Sequence, residues 1–222
     1  MADQTIKSFE DLHAAVQRHG SKTVIYRGVT KLTHQLTPDI GRPDISGASS
    51  TLERDEKTIL RLFKERAIPY LSFKPDTEWD WLAIARHHGL PTRLLDWSRN
   101  PLVAAYFAVE KESTEDSLIY AYHNETYIRT DKCPDPFEMT RVGKFIPKHV
   151  SSRIIAQVGV FTIHPKPGEA FESPDVERLI LKAECREDLK WILYKYGIHR
   201  ASLFPDLDGL AAHIKWLRTD IY

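Results

Sequence analysis

One segment near the middle of the chain is fixed at both ends. Gly89-Leu90-Pro91 must end the helix before it, because glycine accepts a left-handed cap and proline disfavours helical backbone in the residue that precedes it. Asn100-Pro101 starts the next helix, with asparagine as the cap and proline at the first helical position. Residues 92–98 lie between these two points and are predicted to form a loop. Polar side chains on loops between rigid elements are typical of functional sites.

The charged residues of this segment allow two interpretations. A buried ion pair between Arg93 and Asp96 would fix the turn without any functional role. Alternatively, the same side chains face a ligand. A hydrolase with Ser98 as nucleophile and His87 or His88 as base is disfavoured, because the sequence lacks a G-x-S-x-G nucleophile elbow.

Charge and cysteine content exclude several classes of protein. The chain of 222 residues has 31 lysines plus arginines and 31 aspartates plus glutamates, so no overall cationic field attracts nucleic acid. Cys133 and Cys185 are far apart and form no C-x-x-C pair, which disfavours a disulfide framework and a zinc site. No apolar run approaches the length of a membrane span. We expect a cytoplasmic protein without a bound metal.

Hydrophobic periodicity predicts a mixed architecture. Helices are predicted over residues 9–20, 52–71, 79–88, 102–109, 186–197 and 207–218. Ser8 is predicted to cap the first of them, and the apolar run 102–109 predicts a buried helix. Strands are predicted over residues 23–26, 117–123, 153–164 and 176–183, and Gly159 indicates a bulge or a close backbone approach. Residues 29–50 contain proline and glycine without periodicity and predict a long surface loop. Because strands and helices do not alternate regularly, the pattern favours an α+β class in one domain over residues 1–222.

Four groups of residues together resemble the FRG-domain family. They are Tyr26-Arg27-Gly28, the stretch from His87 through Thr92-Arg93-Leu94-Leu95-Asp96-Trp97-Ser98 to Ala105-Tyr106-Phe107-Ala108, Gln157-Val158-Gly159-Val160-Phe161, and Phe204-Pro205-Asp206-Leu207-Asp208-Gly209. The resemblance runs in order from about residue 6 to residue 217. Tyr26 replaces the phenylalanine after which the family is named. Family membership by itself does not establish an activity.

The order of these motifs is also similar to that of ADP-ribosyltransferases with an arginine-serine-glutamate signature. That resemblance implies a fold in which two small sheets splay apart to hold NAD, here a mixed, split β-sheet flanked by amphipathic helices. Arg27 matches the arginine, and Ser98 or Thr92 matches the serine motif. The third position falls on Gln157, where the family pattern has glutamate.

The resemblance, together with the chemistry of the side chains, then assigns roles to particular residues. Arg27, Ser98, Gln157 and Asp96 are the candidate catalytic residues, with Asp96 supplying the anion that Gln157 lacks. Tyr26, Arg27, Gly28, Thr92 and Arg93 are the candidate NAD-binding residues. An arginine suits a pyrophosphate because its planar fork donates two parallel hydrogen bonds.

The implied function is transfer of ADP-ribose from NAD to a macromolecule, as in a toxin or phage-defence effector that an antitoxin protein would neutralise. RNA or DNA is the favoured acceptor, contacted by Lys31, Arg42 and the lysines of residues 144–148, and a protein side chain is the other. The competing interpretation is a non-catalytic module that binds a nucleotide or a partner in the same cleft. Gln157 in place of glutamate favours that alternative.

Overall fold

The computed structural model describes residues 3–20, 23–42, 52–71, 74–147 and 152–219. Its helices are α1 (Phe9–Arg18), α2 (Leu52–Ala67), α3 (Glu78–His87), α4 (Pro101–Val109), α5 (Ser152–Ala156), α6 (Arg186–Lys195), α7 (Arg200–Leu203) and α8 (Leu207–Thr219). Its strands are β1 (Gln4–Ile6), β2 (Val24–Val29), β3 (Leu94–Ser98), β4 (Ser117–His123), β5 (Gly143–Phe145), β6 (Gly159–Ile163) and β7 (Val176–Leu181). This mixture confirms the predicted α+β class.

The seven strands form one mixed sheet in the order β1-β7-β4-β2-β3-β6-β5. Neighbouring strands are antiparallel except for β1 and β7, which run parallel. The prediction of two separate small sheets is therefore wrong at the level of hydrogen-bond connectivity. The reason is that β2 and β3 still share a ladder contact, which joins the two halves.

That junction is the weakest in the sheet. β2 and β3 are paired at Tyr26↔Ser98 alone, whereas β2 and β4 are in register over six residue pairs and β3 and β6 over five. The Arg27 side chain lies at this junction and donates from Nη1 to the main-chain oxygen of Asp96, 2.6 Å away. The two strands are therefore connected by one ladder pair and by the side chain of Arg27.

Hydrophobic clusters cover both faces of the sheet. On one face, α1, α4 and α6 pack over the half built from β1, β7, β4 and β2, while α2 and α3 pack over β3, β5 and β6. The opposite face carries a third cluster that includes Ile25, Leu95, Trp97 and Tyr122. Helix α4 is apolar nearly all round and six of its nine residues are buried, as its sequence predicts.

Local signals in the sequence placed several helix ends correctly. Ser8 caps α1 through a 3.2 Å hydrogen bond that its hydroxyl accepts from the Asp11 N–H. Asn100 caps α4, since its side-chain oxygen accepts from the Leu102 N–H at 2.9 Å. Gly89 adopts a φ of 85° just after α3, in the left-handed region that favours glycine. These features depend on neighbours in sequence, which is why they could be predicted.

Two predicted segments differ from the structure. Most of residues 92–98 forms the inner strand β3 rather than a loop, because its apolar residues pack on both faces of the sheet. Residues 153–164 do not form one strand, since helix α5 precedes β6 and Val158 between them takes a φ of 50°. The short edge strands β1 and β5 were not predicted. No helix within the described ranges is long and apolar enough to cross a membrane.

Candidate functional site

A cavity of about 800 Å³ opens where β2 separates from β3. Residues of β2, β3, the end of α3, α4 and the loop after β2 line it, and Arg153, Gln157 and Phe204 complete the wall. A volume of this size falls within the range of about 300–1,000 Å³ that is typical of small-molecule sites. The widening of one strand junction thus creates a space large enough for a ligand.

Asp96 is the central anion of the cavity wall. Its Oδ2 accepts hydrogen bonds from Arg86 at 2.9 Å (Nε) and 2.5 Å (Nη2), and lies 3.5 Å from Nη1 of Arg27. Burial alone would raise the pKa of Asp96, but the guanidinium groups of Arg86 and Arg27 hold that pKa below its usual range. The carboxylate is therefore ionised at neutral pH and shared between two cations.

A second acid extends this network along the cavity. Arg86 Nη1 also donates to Oδ2 of Asp39, and Oδ1 of Asp39 lies 2.8 Å from Nη2 of Arg42. Three arginines and two aspartates therefore alternate along the wall in the order Arg27, Asp96, Arg86, Asp39, Arg42. Each acid contacts two arginines, so removing one cation leaves neither carboxylate without a partner.

Two properties of Arg27 bear on its role in this network, its pKa and its hydrogen bonding. Burial lowers the pKa of its guanidinium, and Asp96 opposes that shift. Its Nε is buried and has no hydrogen-bond partner among the described residues. The guanidinium thus has donor capacity that the described part of the protein does not use.

Ser98, which ends β3, and Gln157, which lies just before the neighbouring strand β6, are connected to each other. The Ser98 hydroxyl donates to the main-chain oxygen of Gln157 at 2.6 Å and accepts from the Asn100 N–H at 2.9 Å. The Gln157 amide nitrogen donates to the main-chain oxygen of Leu203 at 3.1 Å. The sequence predicted that Gln157 lies on a strand, but the residue lies in the turn between α5 and β6. It still lines the cavity.

Aromatic and cationic side chains form the far wall. Phe107 and Phe204 make an edge-to-face contact with ring centroids 6.1 Å apart. The guanidinium of Arg153 lies 5.3 Å from the Phe204 ring and is bound to Asp206 by two hydrogen bonds, of 2.9 Å and 2.5 Å. This wall offers apolar ring surface beside a cation, an arrangement suited to a flat heterocycle.

Two histidines of the lining are held in the neutral form. Burial, with a smaller contribution from His88, lowers the pKa of His87 to about 4. Burial also lowers the pKa of His34, and the cations around it add to that effect. Neutral imidazoles can each donate and accept one hydrogen bond at physiological pH.

Thr92 and Arg93 lie outside this cavity. Both are 1% exposed and neither is part of the lining. The Arg93 side chain donates to Oε2 of Glu56 at 2.8 Å and its N–H donates to Oε1 at 2.6 Å. The pair predicted between Arg93 and Asp96 is therefore wrong, because each residue has its partner on a different element.

Tyr26 and Gly28 do line the cavity, but each also has a clear structural task. The Tyr26 hydroxyl lies 2.7 Å from Nδ1 of His19. A Cβ atom at Gly28 would lie 1.8 Å from the main-chain oxygen of Ala104, so glycine allows α4 to pack directly against β2. Within this motif, Arg27 thus supplies a cation to the cavity, while Tyr26 makes a polar contact with His19 and Gly28 allows close packing of α4.

The proposed basic patch is not gathered on one surface. Lys144 is fully buried and donates to the main-chain oxygens of Thr23 and Asn124. Lys31 is exposed and pairs with Glu115 at 3.2 Å, whereas Arg42 faces the cavity. Lys148 lies outside the described residues. Lys144 is therefore not available to a macromolecular acceptor, because it serves as a buried hydrogen-bond donor.

Sequence reasoning missed three of the charged residues that line the cavity. For Arg86 the only indication in the sequence was its position near the end of a predicted helix, next to the polar segment. For Asp39 and Arg153 the sequence contained no indication of a role in a site. Their partners are not helix or strand neighbours in the sequence, since Arg86 bonds to residues 47 and 10 positions away and Arg153 to a residue 53 positions away. Such contacts are set by the tertiary structure.

Comparison with known families matches residues 22–117 to the FRG domain. Comparisons with curated proteins and with solved structures give no significant match. The matched range contains Arg27, Arg86 and Asp96 and ends before Arg153 and Gln157. The matched range is the part of the chain that builds most of the cavity wall, so this part is similar to an FRG domain.

Proposed function

We propose that this cavity binds NAD and that the protein transfers ADP-ribose from NAD to a macromolecule. One observation carries the proposal. Where β2 separates from β3, a single cavity collects the four residues predicted from the sequence to be catalytic: Arg27, Asp96, Ser98 and Gln157. These residues come from three distant parts of the sequence, and nothing in the local sequence requires them to meet.

The charges of the lining favour an anionic ligand. Four arginines face the cavity against two aspartates, and one of the four, Arg153, is paired with Asp206, which leaves an excess of one positive charge. A pyrophosphate carries two negative charges and accepts paired hydrogen bonds from guanidinium groups. In this proposal the guanidinium of Arg27, whose Nε has no partner among the described residues, binds the pyrophosphate, while Asp96 and Arg86 fix its orientation.

The remaining lining suits the nucleoside portions of NAD. Phe107 and Phe204 offer ring surface to a heterocycle, and Arg153 lies beside them. The Gln157 amide is held through its nitrogen by Leu203, so its carbonyl oxygen is the group left to accept from a ribose hydroxyl.

The reaction can be written so that atoms and charges balance. A nucleophile of the acceptor attacks the anomeric carbon of the nicotinamide ribose, the bond to the nicotinamide nitrogen breaks, and nicotinamide leaves with the electron pair. The proton of the acceptor passes to water or a nearby base. Positive charge develops on the sugar during this step, and the ionised Asp96 is the anion in the wall that would stabilise it.

The decisive experiment incubates the folded protein with NAD labelled in the adenylate, together with separate pools of RNA, DNA and protein. Nicotinamide release and NAD binding by calorimetry are measured in parallel. Arg27→Ala is compared with Arg61→Ala, whose parent side chain pairs with Glu65 on an exposed helix face. We expect transfer by the wild type and by Arg61→Ala, and an affinity for NAD about 10–100-fold lower in Arg27→Ala.

A second candidate function is a non-catalytic module that binds a nucleotide. It is favoured by the state of the acids, since the two aspartates of the described lining, Asp39 and Asp96, are both bound to arginines. NAD binding without nicotinamide release would support this alternative. A folded wild-type protein that binds no NAD would overturn the principal proposal.

A further inference from the structure

A second cluster of chemically active side chains lies at the end of the sheet away from the cavity arginines. His19 follows α1, His123 ends β4, and Glu177 lies near the start of β7. Oε2 of Glu177 is 3.1 Å from Nε2 of His19 and 3.3 Å from Nε2 of His123. The three potential ligand atoms all lie within 4.8 Å of one another. No role in the proposed reaction accounts for this convergence.

The two separations from the glutamate agree with those of a zinc ligand set. Zinc binds imidazole nitrogen and carboxylate oxygen at about 2.0–2.2 Å, so neighbouring ligand atoms in a tetrahedral site lie about 3.3 Å apart. The two separations from Oε2 of Glu177 are close to this value. Two histidines and one glutamate form one of the ligand sets that zinc uses when its fourth position is left open.

The surroundings also orient the first of these ligands. Nδ1 of His19 lies 2.7 Å from the Tyr26 hydroxyl, so its ring is held at the nitrogen that does not face Glu177. A hydrogen bond to the second nitrogen is the usual way in which proteins orient a metal-binding histidine. The His19 and His123 rings meet edge to face with centroids 4.9 Å apart.

The cluster is neither sealed nor fully open to solvent. The side chains of His19, His123 and Glu177 are 5%, 16% and 15% exposed. The Arg18 guanidinium, the nearest cation on the same helix, is bound to Gln4 and to the main-chain oxygen of Ala14. A cation could therefore enter from solvent, and water could occupy the fourth position.

We propose that His19, His123 and Glu177 form a binding site for a divalent transition metal of the zinc class. The ion would connect the end of α1 to β4 and β7, and it would hold His19 against Tyr26. Because Tyr26 also lines the candidate cavity, the metal would stabilise one wall of that cavity without touching the ligand. The sequence predicts no such site, since the ligands stand at positions 19, 123 and 177 and follow no metal-binding motif.

The test measures metal binding directly and does not depend on any activity. The chelator-treated full chain is titrated with Zn²⁺ by calorimetry and with Co²⁺ by visible absorption, which is intense for tetrahedral sites. His123→Gln and Glu177→Gln are compared with His13→Gln, a substitution at an exposed position of α1. Circular dichroism establishes that each variant is folded, and thermal unfolding is followed with and without Zn²⁺.

We expect one equivalent of metal per chain, a melting temperature raised by Zn²⁺, and loss of both effects in His123→Gln and Glu177→Gln. His13→Gln should bind as the wild type does. Absence of stoichiometric binding by the folded wild type would overturn the proposal. Equal binding by all three folded variants would overturn it as well, because the metal would then be held elsewhere.

Discussion

One arginine–carboxylate contact just before β3 and another in the middle of β3 lie in opposite environments. Before the strand, Arg93 is paired with Glu56, and their side chains are 2% and 1% exposed. Within the strand, Asp96 is bound by Arg86 and Arg27 at the wall of a large cavity, and its side chain is 43% exposed. The first arrangement is closed, whereas the second is open to a ligand.

The difference lies in how many partners each charge has. Glu56 accepts both the N–H and the side chain of Arg93, and burial raises its pKa while Arg93 opposes that shift. In the cavity, by contrast, each aspartate contacts two arginines. A network with several partners can give up one contact to a ligand at small cost, whereas an isolated buried pair cannot. The same residue types therefore form a closed pair before β3 and an open network within it.

The largest expected effect is the loss of the closed pair. Glu56→Ala leaves the Arg93 guanidinium buried without its carboxylate, and we expect it to lower the free energy of unfolding by about 3–5 kcal/mol. Urea denaturation measures this change. Glu53→Ala on the same helix, where the parent side chain is 54% exposed, should cost less than about 1 kcal/mol. Equal effects of the two substitutions would show that the buried pair has no special importance.

The next effect is a loss of stability on acidification. Burial lowers the pKa of His87 at the cavity to about 4, and burial with a contribution from Arg27 lowers that of His164, near Arg93, to about 3. Because the unfolded histidines take up protons below about pH 6.5 and the folded ones do not, stability is complete above that pH and falls as the pH decreases towards 4. At pH 5 we expect a loss on the order of 1–2 kcal/mol per histidine.

Variants separate the two histidines in that pH dependence. Urea denaturation at pH 7 and pH 5 should show a smaller pH-dependent loss in His87→Asn and in His164→Asn than in the wild type. A bound anion should reduce the contribution of His87, which lines the cavity, more than that of His164. If neither substitution changes the difference between the two pH values, the histidines are not its source.

Asp96→Asn is expected to lower the stability by a smaller amount and to raise the affinity for NAD. Arg86 keeps Asp39 as a partner, so the free energy of unfolding should fall by about 1–2 kcal/mol only. Loss of the carboxylate frees Arg27 and makes the cavity more positive, so NAD should bind several-fold more tightly while ADP-ribose transfer is lost. Calorimetry and the transfer assay measure these two changes. Asp131→Asn, at an exposed ion pair, is the matched control.

The smallest effect is expected at the end of β3 that joins the two halves of the sheet. Ser98→Ala removes a hydrogen bond to the Gln157 main chain and one from the Asn100 N–H, and we expect a loss of about 1 kcal/mol. Ser113→Ala, at an exposed hydroxyl that accepts from the Glu115 N–H, serves as the control. A loss as large as that of Glu56→Ala would mean that the strand junction contributes as much to stability as the buried pair does.

The sequence by itself determined the features that depend on near neighbours. Ser8 and Asn100 identified two helix starts, Gly89 identified a helix end, and the apolar run of α4 indicated a buried helix. Residues 117–123 were predicted as a strand with the bounds of β4. Capping and hydrophobic periodicity depend on residues that are close in the sequence, so they can be predicted from the sequence alone.

Only the tertiary structure decided which charges meet. Arg93 bonds to a residue 37 positions away, and Arg27 to one 69 positions away, so neither pairing follows from a local pattern. The single ladder pair between β2 and β3 opens the cavity, and the sheet brings His19 within reach of Glu177, 158 positions further along the chain. Electrostatic and hydrogen-bond contacts act over a few ångströms in space, whatever the distance along the sequence. The chain order therefore specified the elements, and their packing specified the sites.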